Sequence, residues 1–216
     1  EDHKIRKINT LGDCIFRING AHANGQQTKN ISNEIRRYVP EAKIMIDLPG
    51  NKIRTKNLVE PLRLVKGEKA TLKNYEVNYP DFFKHLKPGD IIHANDSIFT
   101  LELIEVSETI TTFLSHSDGK LLTNKGLHVQ GIHDEIPFLF DQDKELIKVA
   151  GELNLDIVSL SFVRTVEDVI LAKDLLGKQN SQDISIFAKI ETEAAIKNLG
   201  AIFNEVDTIN VDRGDL

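Results

Sequence analysis

The sequence predicts an α/β fold of parallel βαβ units, interrupted by a small antiparallel β-domain. Three observations carry this expectation. Short apolar runs of strand length recur outside the middle of the chain. Helical patterns with recognisable ends separate them. The middle alternates between turn signals and short strands.

The runs are CIFRI (14–18), KIMID (43–47), DIVSLSF (156–162), ISIFAKI (184–190) and DTINV (207–211). They are β-branched and nearly continuous, the pattern of parallel strands covered on both faces. Glu34, Ile35 and Tyr38 belong to a helix that ends at Pro40. Asp141 opens the helix DQDKELIKVAGEL, whose Leu146, Ile147 and Ala150 share one face. A further helix opens with Thr165-x-x-Asp168, a short-armed capping box, and stops at Gly177. Strand, helix and strand at a spacing of roughly 25 residues predict right-handed βαβ units.

The middle is different in texture. KPGD (87–90), SDG (117–119) and NKG (124–126) separate strands such as DIIHA, SIFTLELIEV and TITTFLS. The expected organisation is residues 1–55 as the first part of the α/β domain, 56–133 as an inserted β-domain, and 134–216 as the second part.

Composition excludes several classes. Of 216 residues, 40% are hydrophobic and 28% charged, which suits a globular chain with a sizeable core. The formal net charge is -6 with basic residues scattered, which argues against nucleic acid or an anionic membrane as partner. The start, EDHKIRKI, lacks the apolar core of a signal peptide, and no apolar run approaches membrane-spanning length. A single cysteine, Cys14, cannot staple a fold and fits a buried apolar position better than a nucleophile. The expected setting is cytoplasmic. His85, His93, His116, His128 and His133 are spread singly and suit surface or turn positions rather than metal ligation.

In parallel α/β folds, ligands gather beyond the carboxyl ends of the strands. Those ends are polar here. CIFRI carries Arg17-x-Asn19-x-x-His22, KIMID ends in Asp47, ISIFAKI runs into Lys189-x-Glu191, and DTINV into Arg213-x-Asp215. Two carboxylates, Glu191 and Asp215, beside a lysine and an arginine suit Mg²⁺ together with a phosphorylated anion. Lys189 and Arg17 would neutralise a phosphoryl group in transfer.

These segments resemble the pyruvate kinase family. The residues that carry the resemblance are RINGAH at 17–22, DLPGNKIRT at 47–55, SLSFVRT at 159–165, KIE at 189–191 and RGDL at 213–216. Their order, their spacing and the place of the β insert match over essentially the whole chain. The resemblance implies a (β/α)8 TIM-type barrel, incomplete in this chain, with the insert as a lid. It implies glycolytic transfer of phosphate from phosphoenolpyruvate to ADP, giving pyruvate and ATP, with Mg²⁺ or Mn²⁺ as cofactor. Arg17 and Lys189 would be the catalytic pair, Arg17 on the phosphate and Lys189 stabilising the enolate and the group in flight. Glu191 and Asp215 would hold the divalent ion, and Arg213, Gly214 and Asp215 would meet the substrate. Asn19, His22 and Arg54 would line the nucleotide side. The full-length protein would be a homo-oligomer, without nucleic acid or membrane as partner.

Departures from the family pattern point the same way or raise an alternative. The usual R-x-N-F-S-H reads R-I-N-G-A-H, so Ala21 lacks a hydroxyl that helps hold potassium. D-T-K-G-P-E-I-R reads D-L-P-G-N-K-I-R, which puts Lys52 in place of a glutamate. Asn19, Asp47, Leu48 and Lys52 make up the monovalent-cation region, and the Lys52 ammonium can supply the charge that potassium otherwise brings. Potassium independence is the expectation. In the IIHANDSI segment, Asn95 stands where the first of two lid acids is usual. The alternative is a catalytically divergent or non-catalytic relative that binds or regulates. Asp215 would stand at the tip of about the sixth barrel strand, so the chain is expected to be part of a longer protein.

Overall fold

In the computed structural model, which describes residues 2–10, 12–177 and 183–211, the chain divides into two compact units. One comprises residues 1–51 and 138–216, the other residues 52–137. The first unit begins with α1 (Asp2–Asn9), β1 (Ile15–Asn19), α2 (Gly25–Tyr38) and β2 (Lys43–Asp47). The second holds β3 (Ile53–Arg54), β4 (Leu62–Leu64), β5 (Lys69–Lys73), β6 (Ile91–Ala94), β7 (Phe99–Val106), β8 (Ile110–Ser115), β9 (Gly119–Leu121), β10 (Gly126–His128) and α3 (Ile132–Glu135). The first unit resumes with α4 (Asp141–Glu152), β11 (Ile157–Leu160), α5 (Val166–Gly177) and β12 (Ser185–Ile190). It continues through α6 (Glu193–Lys197) and α7 (Leu199–Phe203) to β13 (Thr208–Val211).

The first unit is built on five parallel strands in the order β1-β2-β11-β12-β13. Neighbours in space are neighbours among the strands of this unit, and every pair is parallel. Helices occupy the crossovers, as parallel pairing demands. This is the arrangement of an incomplete TIM-type barrel. Its core is the set of β-branched and aliphatic residues that marked the runs in the sequence. Ile44 and Ile46 of β2, Val158 and Leu160 of β11, and Ala188 and Ile190 of β12 meet Leu146, Ile147 and Ala150 of α4 and Val169 and Ala172 of α5.

Two aspartates begin strands in the same way. Asp156, just before β11, takes the Ile44 amide on its carboxylate at 2.8 Å and donates its own amide to the Ile44 carbonyl at 3.1 Å. Asp207, just before β13, repeats both bonds with Ile186 at 2.8 and 3.0 Å. A short acceptor beside the sheet thus satisfies an amide that would otherwise be orphaned at the strand's start. The second β-rich unit is a six-stranded antiparallel sheet, β3-β10-β6-β7-β8-β5, with a separate pair β4-β9. Phe82, Phe83 and Phe113 fill its core together with Leu72, Leu101 and Leu103.

Several local expectations change. The second unit reaches four residues beyond 56–133 at each end, because Ile53–Arg54 pairs with β10. At the α5 start the Asp168 carboxylate also serves Arg164. Asp168 accepts the Arg164 amide at 3.0 Å and grips the Arg164 guanidinium at 2.8 and 2.9 Å, since the long Arg164 side chain reaches the same carboxylate. Cys14 is half-buried, because β1 begins one residue later. The histidines are less scattered than the sequence suggests. His93 and His128 are cross-strand partners, and the His128 and His133 rings lie 5.7 Å apart. No helix among the described residues is long and apolar enough to cross a membrane.

Ile46 is wholly buried at the centre of the parallel sheet. Ile46→Ala is expected to lower stability by about 2–5 kcal/mol through lost transfer energy and the cavity left behind. Val59→Ala, at a residue 92% exposed, should leave it within about 0.5 kcal/mol. Denaturant titration of both variants is the check.

Candidate active site

Parallel pairing sets the carboxyl ends of β1, β2, β11 and β12 side by side. Register aligns Asn19 with Asp47 and Asp47 with Ser159. Arg17 on β1 faces Asp47, with Nε donating to Oδ2 at 2.9 Å and Nη2 meeting the same oxygen. Lys189, near the end of β12, approaches Oδ1 of Asp47 at 3.7 Å and Oε1 of Glu191 at 3.1 Å. Lys189 and Glu191 stand two residues apart, so extended backbone turns both side chains the same way. The result is a row of alternating charge: Arg17, Asp47, Lys189, Glu191.

The row grades from solvent to interior. The Arg17 side chain is 52% exposed and that of Lys189 15%, whereas Asp47 and Glu191 retain 6% and 3% as residues. Burial of a lone carboxylate costs several kcal/mol, so each acid needs the cation beside it. Glu191 has a second support. Its Oε2 accepts the Phe162 amide at 2.8 Å. Phe162 lies at φ +54, a conformation that bulky residues rarely adopt and that neighbours must enforce.

The turn after β2 is held on several sides. The Leu48 amide donates to Ser159 and the Leu48 carbonyl accepts the Ser161 hydroxyl at 2.7 Å. Gly50, at φ +67, donates its amide to Oδ1 of Asp143 at 2.9 Å. A Cβ there would lie 2.8 Å from the Ser161 Cβ and 3.0 Å from the Phe162 ring, so a glycine is required twice over. Asp143 also takes the Phe140 amide on Oδ2 at 2.9 Å. One residue earlier, Gln142 donates to the Gly20 carbonyl at 2.8 Å.

Of the residues singled out from sequence, Arg17, Asp47, Lys189 and Glu191 come together, and Asn19 and Leu48 stand beside them. The Asn19 side chain accepts the Ala21 amide at 3.0 Å, shaping the turn before the exposed His22. Lys52 and Arg54 belong to the second unit. There the Arg54 Nη1 reaches the Asn124 carbonyl at 3.4 Å, while its Nε is buried without an acceptor among the described residues. Arg213, Gly214 and Asp215 lie outside the described residues. Asp143 and Gln142 were not singled out. Their only trace in sequence is a polar pair opening a helix, a common pattern with no stated partner.

Among the described residues no three acidic, histidine or cysteine side chains gather to hold a metal ion. Glu191 is a hard oxygen donor of the kind a divalent cation takes, and its two oxygens here meet the Lys189 ammonium and the Phe162 amide.

A parallel part-barrel sheet with alternating cations and carboxylates at its carboxyl-end rim defines an α/β-barrel protein. Comparison narrows the class. The family described as "Pyruvate kinase, barrel domain" matches residues 1–216. A protein named pyruvate kinase from Thermotoga maritima is 33% identical over 98% of this chain and 48% of its own length. Another from Thermococcus litoralis is 30% identical over 98% and 47%, and one from Borreliella burgdorferi 26% over 100% and 47%. The chain belongs to the pyruvate kinase family. It spans about half the length of these curated relatives.

Burial pushes the Asp143 carboxyl from 3.8 up to about 6, against the pull of its amide hydrogen bonds. A folded value above the unfolded one means the folded protein holds this proton more tightly. Asp143 therefore contributes stability below about pH 4 that is lost as the pH rises through about 6. The stability of the native protein relative to Asp143→Asn should fall by roughly 3 kcal/mol between pH 4 and 7. Denaturant midpoints across that range are the measurement.

Proposed function

We propose that the full-length protein transfers the phosphoryl group of phosphoenolpyruvate to ADP, giving pyruvate and ATP. The observation that carries this reading is the Arg17–Asp47–Lys189–Glu191 row at the carboxyl end of the parallel sheet. Family membership supports it.

On this reading Arg17 meets the phosphate. It is the solvent-facing cation of the row, and its Nε and Nη2 are held by Asp47, which fixes the plane of the guanidinium. Lys189 lies deeper and directs its ammonium towards the bond that breaks. As the phosphoryl group leaves, negative charge grows on the enol oxygen, and a fixed ammonium already shielded from water stabilises it without reorganisation. Protonation of the enolate carbon then yields pyruvate. Arg213, Gly214 and Asp215 receive the substrate carboxylate side, and Asn19, His22 and Arg54 the nucleotide side. The buried Nε of Arg54 supports an anionic neighbour, because a buried donor without an acceptor is costly.

Glu191 and Asp215 would hold Mg²⁺ or Mn²⁺, with water and substrate oxygens completing the coordination. When bound, the ion supplies positive charge to the transferring phosphate oxygens. The Lys52 ammonium supplies the charge that potassium otherwise brings. The reading extends to a cytoplasmic homo-oligomer without nucleic-acid or membrane partners.

Pyruvate formation from phosphoenolpyruvate and ADP with Mg²⁺ tests the reading. Turnover should be present and change less than about twofold when KCl replaces a large non-coordinating chloride at constant ionic strength. Lys189→Met should lower kcat by a factor of about 10²–10³, the range seen when one electrostatic donor is removed. Absence of turnover in a folded full-length protein overturns the reading, and a many-fold rise with potassium overturns its Lys52 part.

A further inference from the structure

We infer that Asp143 is a positioning residue for this site, setting the turn Leu48–Asn51 and, through Gly50, the Ser161–Phe162 turn that holds Glu191. The inference deepens the proposed phosphotransfer and rests on that reading for its catalytic consequence alone.

Asp143 is wholly buried, yet both its oxygens are engaged by backbone amides from two different segments. Phe140 precedes α4 and Gly50 follows β2, so one carboxylate ties the first turn of a helix to a strand-end turn 93 residues away. The link continues beyond Gly50. Its missing side chain lets Ser161 and Phe162 approach to distances that a Cβ would fill. The Ser161 hydroxyl closes the same junction from the other side by donating to Leu48. Phe162, held there at φ +54, aims its amide at Glu191. The links are hydrogen bonds of 2.7–2.9 Å and, at Gly50, packing with no room for a side chain. A displacement of Gly50 therefore moves the support of Glu191. It also moves Leu48, whose neighbour Asp47 joins Arg17 to Lys189.

A purely structural role would look different. Capping α4 requires only the Phe140 bond, and loss of that cap would loosen the helix. A positioning role requires the Gly50 bond, and its loss would loosen the two turns and weaken the ion held at Glu191.

The test is amide hydrogen exchange on the full-length protein, read by peptide, beside Mn²⁺ binding followed by electron paramagnetic resonance. In Asp143→Asn one amide faces an NH₂ group instead of a carboxylate oxygen. Segments 48–51 and 161–163 are expected to exchange at least tenfold faster, with β6–β8 unchanged, and the Kd for Mn²⁺ to rise fivefold or more. In turnover, kcat should fall by more than KM rises. Asp143→Glu, which keeps the charge and displaces it by one methylene, should show the same local pattern more weakly and serves if the Asn variant does not fold. Unchanged exchange at 161–163 overturns the inference, as does acceleration spread evenly through α4 and the sheet. A wild-type protein that neither binds Mn²⁺ nor turns over marks failure of the proposed function, while the exchange result still decides the role of Asp143.

Discussion

The Asp47 carboxylate is the charge around which the rim is organised. It is 6% exposed at the end of β2, where water cannot solvate it well. Arg17 from β1 and Lys189 from β12 approach its two oxygens from either side. A buried carboxylate left alone would cost several kcal/mol, and two cations facing each other without it would repel at short range. Asp47 therefore offsets the repulsion between the two cations, while Glu191 holds Lys189 from the other side. Glu191 then joins the row through Lys189, so three strands share one electrostatic arrangement.

The sheet makes this arrangement possible, and the turns make it rigid. Parallel strands in register bring their carboxyl ends to one level, and polar side chains that would be wasted elsewhere converge there. Convergence by itself would leave long side chains free to choose partners. The positive-φ residues Gly50 and Phe162, the Ser161 hydroxyl and the Asp143 carboxylate remove that freedom by fixing the backbone under the acids. These residues do no chemistry in the proposed reaction. They fix the backbone beneath the charges, and in the proposed reaction positioning of that kind would supply much of the catalysis.

The second unit enters the chain directly after this turn, at Lys52, and leaves it at Pro137, just before Phe140 and Asp143. Its antiparallel sheet has its own aromatic core, in which the Phe83 ring lies 5.1 Å from that of Phe82 and 6.0 Å from that of Phe113. The Asp143 carboxylate bonds an amide on each side of that insertion, Gly50 before it and Phe140 after it.

The sequence by itself determined the strand runs, the helices between them, the antiparallel texture of the middle and the charged residues at the strand ends. These are local properties: period, β-branching, turn residues and the polarity of the last residue in a strand. The motifs RINGAH, DLPGNKIRT and KIE carried the family as well. Only tertiary structure decided which charges meet. Nothing local says that Asp47 lies between Arg17 and Lys189, because that follows from the order β1-β2-β11-β12 and its register. Nor does a helix opening with Asp-Gln-Asp reveal that Asp143 binds Gly50, 93 residues earlier. Likewise, Thr165-x-x-Asp168 does not reveal that the Arg164 side chain reaches the Asp168 carboxylate. A side chain's partner depends on which backbone folds next to it, and that is settled by burying the whole core together.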